Sequence, residues 1–96
     1  MVSEMKTEIT EAKVKKYFEI TKKAFEKAKH AESSNKEHKK EILEMVGNYI
    51  SDAEHFYNKG DIVNAFAALS YAHGWLDCGA RLKIYKVSDN KLFTVD

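Results

Sequence analysis

The less polar side chains of the first third of the chain recur at Val14, Tyr17, Phe18, Thr21, Ala24, Phe25 and Ala28, in steps of three and one. Such spacing draws a single stripe along an α-helix, whose turn is 3.6 residues, and leaves the intervening Lys and Glu on the outer face. It predicts a first helix over about 8–31. Between His30 and Asn35 the stripe breaks, and Ser34 with Glu37 three residues on reads as a capping box that restarts the helix. A second helix is therefore expected over about 35–59, with Ile42, Met45, Val46, Tyr49, Ala53, Phe56 and Tyr57 facing inward. Asn58-Lys59-Gly60 ends it, since glycine readily takes the left-handed conformation that closes a helix.

Asp61 is placed to cap a third helix, its carboxylate accepting the free amide hydrogens of the first turn. This segment, about 62–83, is the driest part of the chain. Within residues 60–80 only Asp61 and Asp77 are charged, whereas residues 1–45 hold 11 Lys and 9 Glu. Ala65, Ala68, Ala72 and Gly79 lie on or beside one side, where small residues let a neighbouring helix approach closely. Gly74 and Gly79 each cost about 1 kcal/mol of helix propensity, so each calls for a packing or backbone reason. Beyond Ile84, apolar residues flank Ser88-Asp89-Asn90, which suggests an extended arm or small hairpin over 85–96, laid on the helices.

Short connections make neighbouring helices antiparallel. The expected fold is all-α: an antiparallel up-down-up three-helix bundle with a short extended C-terminal arm. With 96 residues, the chain forms one domain, because two halves would each be too small to bury a core.

Composition narrows the function classes. At 44% hydrophobic and 32% charged, the chain is too apolar for a disordered tail and lacks the long apolar run of a membrane span. A net charge of +1 gives no long-range field toward nucleic acid or an anionic membrane surface. The lone Cys78 cannot form an internal disulfide, which fits a reducing cytoplasm, and it reads as a small buried apolar residue. The amino-terminal Met1-Val2-Ser3-Glu4-Met5-Lys6 carries an acid and lacks a signal-like apolar stretch. A cytoplasmic protein is expected.

Gly60, Asp61 and Ile62 open a run that continues through Tyr71-Ala72-His73-Gly74-Trp75-Leu76-Asp77 to Leu82. With Asp52-Ala53, Phe56-Tyr57 and the closing Leu92-Phe93-Thr94-Val95, it resembles the archaeal domain-of-unknown-function family 357. The resemblance implies a small archaeal helical protein and carries no assigned activity. Separately, Tyr49, Ala53, Phe56, Gly60, Ile62, Ala65, Leu69 and Ala72 match the interlock of a tetratricopeptide hairpin, but no second copy follows.

Ser70, His73, Asp77 and Arg81 fall within about 80° of one another on a helical projection. They could form a ligand-binding face in which His73 exchanges protons, Asp77 orients its ring and Arg81 holds a phosphate or carboxylate. The plain alternative is the solvent face of the third helix. All three members of the serine, histidine and aspartate set come from one helix without a strained nucleophile elbow, so no catalytic residue is assigned. His30, His38, His55 and His73 share no tight ligand spacing, so neither a metal nor another cofactor is expected. Lysine pairs such as Lys15-Lys16 and Lys22-Lys23 are largely cancelled by glutamates within helical reach, so nucleic acid is not the expected partner.

The aromatic residues Tyr71, Trp75, Tyr85 and Phe93 gather toward the carboxyl end. Rings that a small interior cannot hold would form a patch for a partner subunit. The expected role is a non-catalytic module that self-associates, or docks on another cytoplasmic protein, through the third helix and the tail. The alternatives are a small-ligand or enzyme site at His73, Asp77 and Arg81, and nucleic-acid contact through the lysine-rich first helix.

Overall fold

A computed structural model describes residues 8–93. The reading of the amino-terminal six residues, and Thr94, Val95 and Asp96 of the tail, lie outside the described residues. Three helices follow one another: α1 (Glu11–His30), α2 (Lys36–Asn58) and α3 (Ile62–Arg81). No strand occurs among the described residues. The all-α bundle therefore holds, and residues 85–93 of the tail contain turns and no hairpin strand.

Side-chain caps set the helix starts. Thr10 Oγ1 accepts from the Lys13 amide at 3.2 Å, and Asp61 Oδ1 accepts from the Asn64 amide at 3.1 Å. At α2 the cap is Asn35, whose Oδ1 accepts from the His38 amide at 3.0 Å. The expected Ser34 capping box is corrected by one residue. Ser33 is the cause: its hydroxyl donates to the Ile84 carbonyl and accepts from the Asn35 amide, fixing the connector so that Asn35 meets the first turn.

Two helices end in the same hydrogen-bond pattern. After α2, Asp61 N donates to Phe56 O at 2.9 Å and Gly60 N to Tyr57 O at 3.0 Å, with Gly60 at φ 82°. After α3, Ile84 N donates to Gly79 O at 2.9 Å and Lys83 N to Ala80 O at 3.1 Å. Both are Schellman closures. The second places a lysine, at φ 59°, where a Cβ is unfavourable.

α3 packs along both other helices, most extensively along α2, while α1 and α2 meet only briefly. The interior has two parts. Around the amino end of α3, Val14, Ala53, Ala65, Ala68 and Leu69 pack together with Tyr17, Phe18, Phe56 and Phe66 around them. Around its carboxyl end the helices contribute Ala24, Ala28, Ala72 and Ala80 beside Ile42, Val46, Ile50 and Leu76. Four alanines leave room that no helix fills. Tyr85, Leu92 and Phe93 of the tail fill it.

The tail is held at several points. Lys86 N donates to Glu32 O at 2.9 Å, tying its start to the α1–α2 connector. Asp89 then makes a turn, accepting from Leu92 N and Phe93 N on its carbonyl and from Lys91 N on its carboxylate. Gly79 is the seat of Tyr85: a Cβ there would lie 2.5 Å from the Tyr85 ring. The packing reason expected for that glycine is thus present. Gly74 has none among the described residues, since nothing beyond its own stretch of helix lies within 4 Å of the Cβ it lacks.

Candidate docking face

The residues of the polar stripe on α3 differ in their surroundings. Ser70 is exposed, and its hydroxyl bonds back to the Phe66 carbonyl at 3.0 Å. His73 is half-buried and turned toward α1 and the tail. Its Nδ1 lies 3.1 Å from the buried Thr21 hydroxyl, its Nε2 lies 2.7 Å from the Leu92 carbonyl, and its ring stacks on Tyr17. Asp77 Oδ1 is 3.9 Å from His73 Nε2, a distance that permits charge attraction but no hydrogen bond. Arg81 stands at the far end, lining a cleft of about 590 Å³ with Ser33, Lys83 and Lys86. Neither Ser70, His73 nor Asp77 lines that cleft. With both ring nitrogens engaged, His73 forms a strut between α3, α1 and the tail. Among the described residues no three histidine, cysteine or acidic side chains gather as a metal site.

The four aromatic residues divide equally. Tyr85 and Phe93 are 1% and 2% exposed, packed at the alanine-walled end of the core, so they present nothing to a partner. Burial also pushes the Tyr85 phenol far above its ordinary range, and its hydroxyl donates to the Leu76 carbonyl. Tyr71 and Trp75 remain outside, 63% and 39% exposed.

Tyr71 and Trp75 belong to a longer face. Val63 is 60% exposed at one end of α3 and Leu82 66% exposed just past the other. Between them Ala67, Ser70, Gly74 and Cys78 are exposed as well. Cys78 is therefore corrected from buried filler to surface residue: Gly79 and Ala80 take the inward positions beside it. Among the exposed positions of α3 itself only Arg81 carries charge. Alongside runs a groove of about 470 Å³ between α2 and α3, lined by Ile42, Met45, Trp75, Cys78 and Leu82, with Glu41 and Glu44 among its rim residues. Tyr71 is fixed by stacking on Tyr49 of α2, ring centres 5.5 Å apart. Val63, Ala67, Cys78 and Leu82 were not among the expected interface residues, although the steps of four and three that link them to Tyr71 and Trp75 were available in the sequence.

The opposite side of the molecule is charged and paired. Lys22 meets Glu54 at 3.0 Å, Lys27 meets Asp89 at 3.1 Å, and Lys29 lies over the Phe25 ring. No described helix is long and apolar enough to cross a membrane.

Comparison with known families matches residues 16–85 to DUF357, a protein family of unknown function. The chain belongs to the DUF357 family. The matched region runs from α1 through the whole of α2 and α3 to Tyr85, and so includes the exposed face and the Gly79–Tyr85 contact. Neither the curated proteins nor the solved structures yield a match to this DUF357 chain.

Proposed function

We propose that this chain is a non-catalytic interaction module of the cytoplasm that works by docking, on itself or on another protein, through the outward face of α3. One observation carries the reading: a 20-residue helix in a chain with 32% charged residues exposes a face from Val63 to Leu82 whose only charges are Arg81 and the half-buried Asp77 at its edge. Exposed faces of helices are ordinarily laced with charge, as α1 is here. Large rings held in place, as Tyr71 is by Tyr49, lose little freedom on binding and are common interface anchors. The tail's part in this role is internal, since Tyr85 and Phe93 complete the platform from behind. The resemblance to an archaeal family fits a small intracellular module, and the lone thiol fits a reducing compartment. Lys13, Lys15, Lys22, Lys27 and Lys29 of α1 pair with Glu or Asp or lie over rings, which does not favour nucleic acid.

The test places a photo-cross-linking benzoylphenylalanine at position 78, and in a separate variant at Lys23 on α1, in cells producing the protein. Irradiation is expected to give discrete covalent adducts from position 78 and none from position 23. Absence of adducts at position 78, with the variant shown to be folded, defeats the reading.

A further inference from the structure

We infer that the occupant of the α3 face is a second copy of this chain, packed antiparallel through a two-fold axis that crosses α3 between Ala72 and His73. The inference rests on the docking reading and names its partner. A two-fold interface must be complementary to itself, so every residue i along the seam faces a fixed residue j of the partner and j faces i. The exposed positions of α3 and its cap, 63, 64, 67, 70, 71, 74, 75, 78, 81 and 82, are symmetric about that point.

The side chains fit this symmetry in size. Along the middle of the face run Ala67, Tyr71, Gly74 and Cys78, spaced four, three and four, the repeat that keeps one helix in register with another. Antiparallel pairing sets Tyr71 over the partner's Gly74 and Ala67 beside the partner's Cys78. Flanking them, Trp75 meets the partner's Ser70, and Val63 meets the partner's Leu82. A large group faces a small one at the centre, and apolar groups of similar size meet at the ends.

Gly74 is the second observation. In mid-helix it weakens α3, and among the described residues nothing beyond its own stretch of helix comes within 4 Å of the Cβ it lacks. Gly79 is explained by Tyr85 within the chain; Gly74 is explained only by a ring arriving from outside.

Charge agrees with the same direction. Asp61 begins α3, with its carboxyl held below its ordinary value by hydrogen bonds from Asn64, so it is anionic at neutral pH. Arg81 and Lys83 stand at the opposite end. Antiparallel pairing brings the Asp61 of each copy to the Arg81 and Lys83 end of the other, two such meetings in the pair, and opposes the helix dipoles; parallel pairing would bring like ends together.

Sedimentation of the purified full chain at micromolar concentration, with two variants, decides the matter. The wild type is expected to sediment as a dimer. Gly74→Leu, which meets open space in the single chain, is expected to weaken association by at least about tenfold while leaving the melting temperature of dilute protein unlowered. Ala67→Cys, oxidised with diamide, is expected to yield a covalent dimer through Cys78 of the partner subunit. The wild type should not, because the two copies of Cys78 would lie roughly 16 Å apart along the paired helices, beyond disulfide reach. Cross-linking of wild type through Cys78 to Cys78, or a Gly74→Leu protein that still pairs, overturns the antiparallel register. A wild type that remains a monomer overturns self-pairing, and adducts from position 78 of a mass other than twice the chain would then keep the docking reading alive without it.

Discussion

His73 Nε2 donates to the carbonyl oxygen of Leu92 at 2.7 Å, nineteen residues further along the chain. A carbonyl can only accept, so Nε2 carries a proton, while Nδ1 meets the Thr21 hydroxyl, which can donate or accept. One imidazole thus joins α1, α3 and the tail. His73→Ala removes both bonds and leaves Thr21 and the Leu92 carbonyl without this partner. A loss of about 1–3 kcal/mol in urea unfolding is expected, together with faster hydrogen exchange at the Leu92 and Phe93 amides. Unchanged exchange in the tail would contradict the strut.

Replacing either mid-helix glycine by alanine raises helix propensity, yet the two sites differ in surroundings. At Gly79 the new methyl would lie 2.5 Å from the Tyr85 ring. Gly79→Ala is expected to lower stability by about 1–3 kcal/mol, the cost of forcing a packed interior apart. Near-ultraviolet dichroism, which senses the tyrosine environment, is expected to change with it. If calorimetry instead finds the variant more stable, the seat is misassigned.

The cap of α2 can be tested by comparing neighbours. Asn35→Ala removes the acceptor for the His38 amide and should cost about 1 kcal/mol. Ser34→Ala should change thermal stability by less than about 0.5 kcal/mol, as at an ordinary surface position. Equal effects would restore the capping box that the sequence pattern suggested.

That one-residue shift shows where sequence reading stops. Helix existence, order and direction were legible, because the stripes, Asp61 and Gly60 are local signals that agree with one another. The cap at Asn35 was not, because Ser33 is recruited by Ile84, which is 51 residues away. The interior places of Tyr85 and Phe93 were equally hidden: only the summed deficit left by Ala24, Ala28, Ala72 and Ala80 makes room for them. His73 looked solvent-facing on its own helix, and its partners Thr21 and Leu92 come from elsewhere in the fold. By contrast, the absence of charge from residues 62–76 was visible from the start, and the candidate docking face is largely that absence seen in three dimensions.

Three surface carboxylates titrate low in the folded chain. Hydrogen bonds hold Glu11 below its ordinary value chiefly through the Tyr57 hydroxyl, Asp61 through Asn64, and Asp89 through Lys27. A carboxyl depressed on folding adds stability above its unfolded pKa and loses it as pH falls through the folded one. The melting temperature should therefore fall as acid passes below the ordinary values of 4.5 and 3.8. Asp61→Asn, which keeps a good cap, should reduce the acid slope while leaving the neutral melting temperature close to wild type. An unchanged slope would exclude Asp61 as a contributor.

Lys83 occupies, at φ 59°, the closing position that Gly60 fills at the end of α2. Lys83→Gly should relieve the left-handed strain and raise stability by up to about 1 kcal/mol, less whatever the unfolded chain gains in freedom. Chemical denaturation would measure it. A destabilised variant would mean that the lysine side chain contributes more than its backbone strain costs.

The rings that plug the alanine-walled end come from the tail, and the ribosome makes the tail after all three rods. A nascent chain can therefore pair α2 with α3 early, but it carries an unfilled hollow until Tyr85, Leu92 and Phe93 emerge. Birth order makes this end of the core the last to set and leaves it dependent on Tyr85, Leu92 and Phe93.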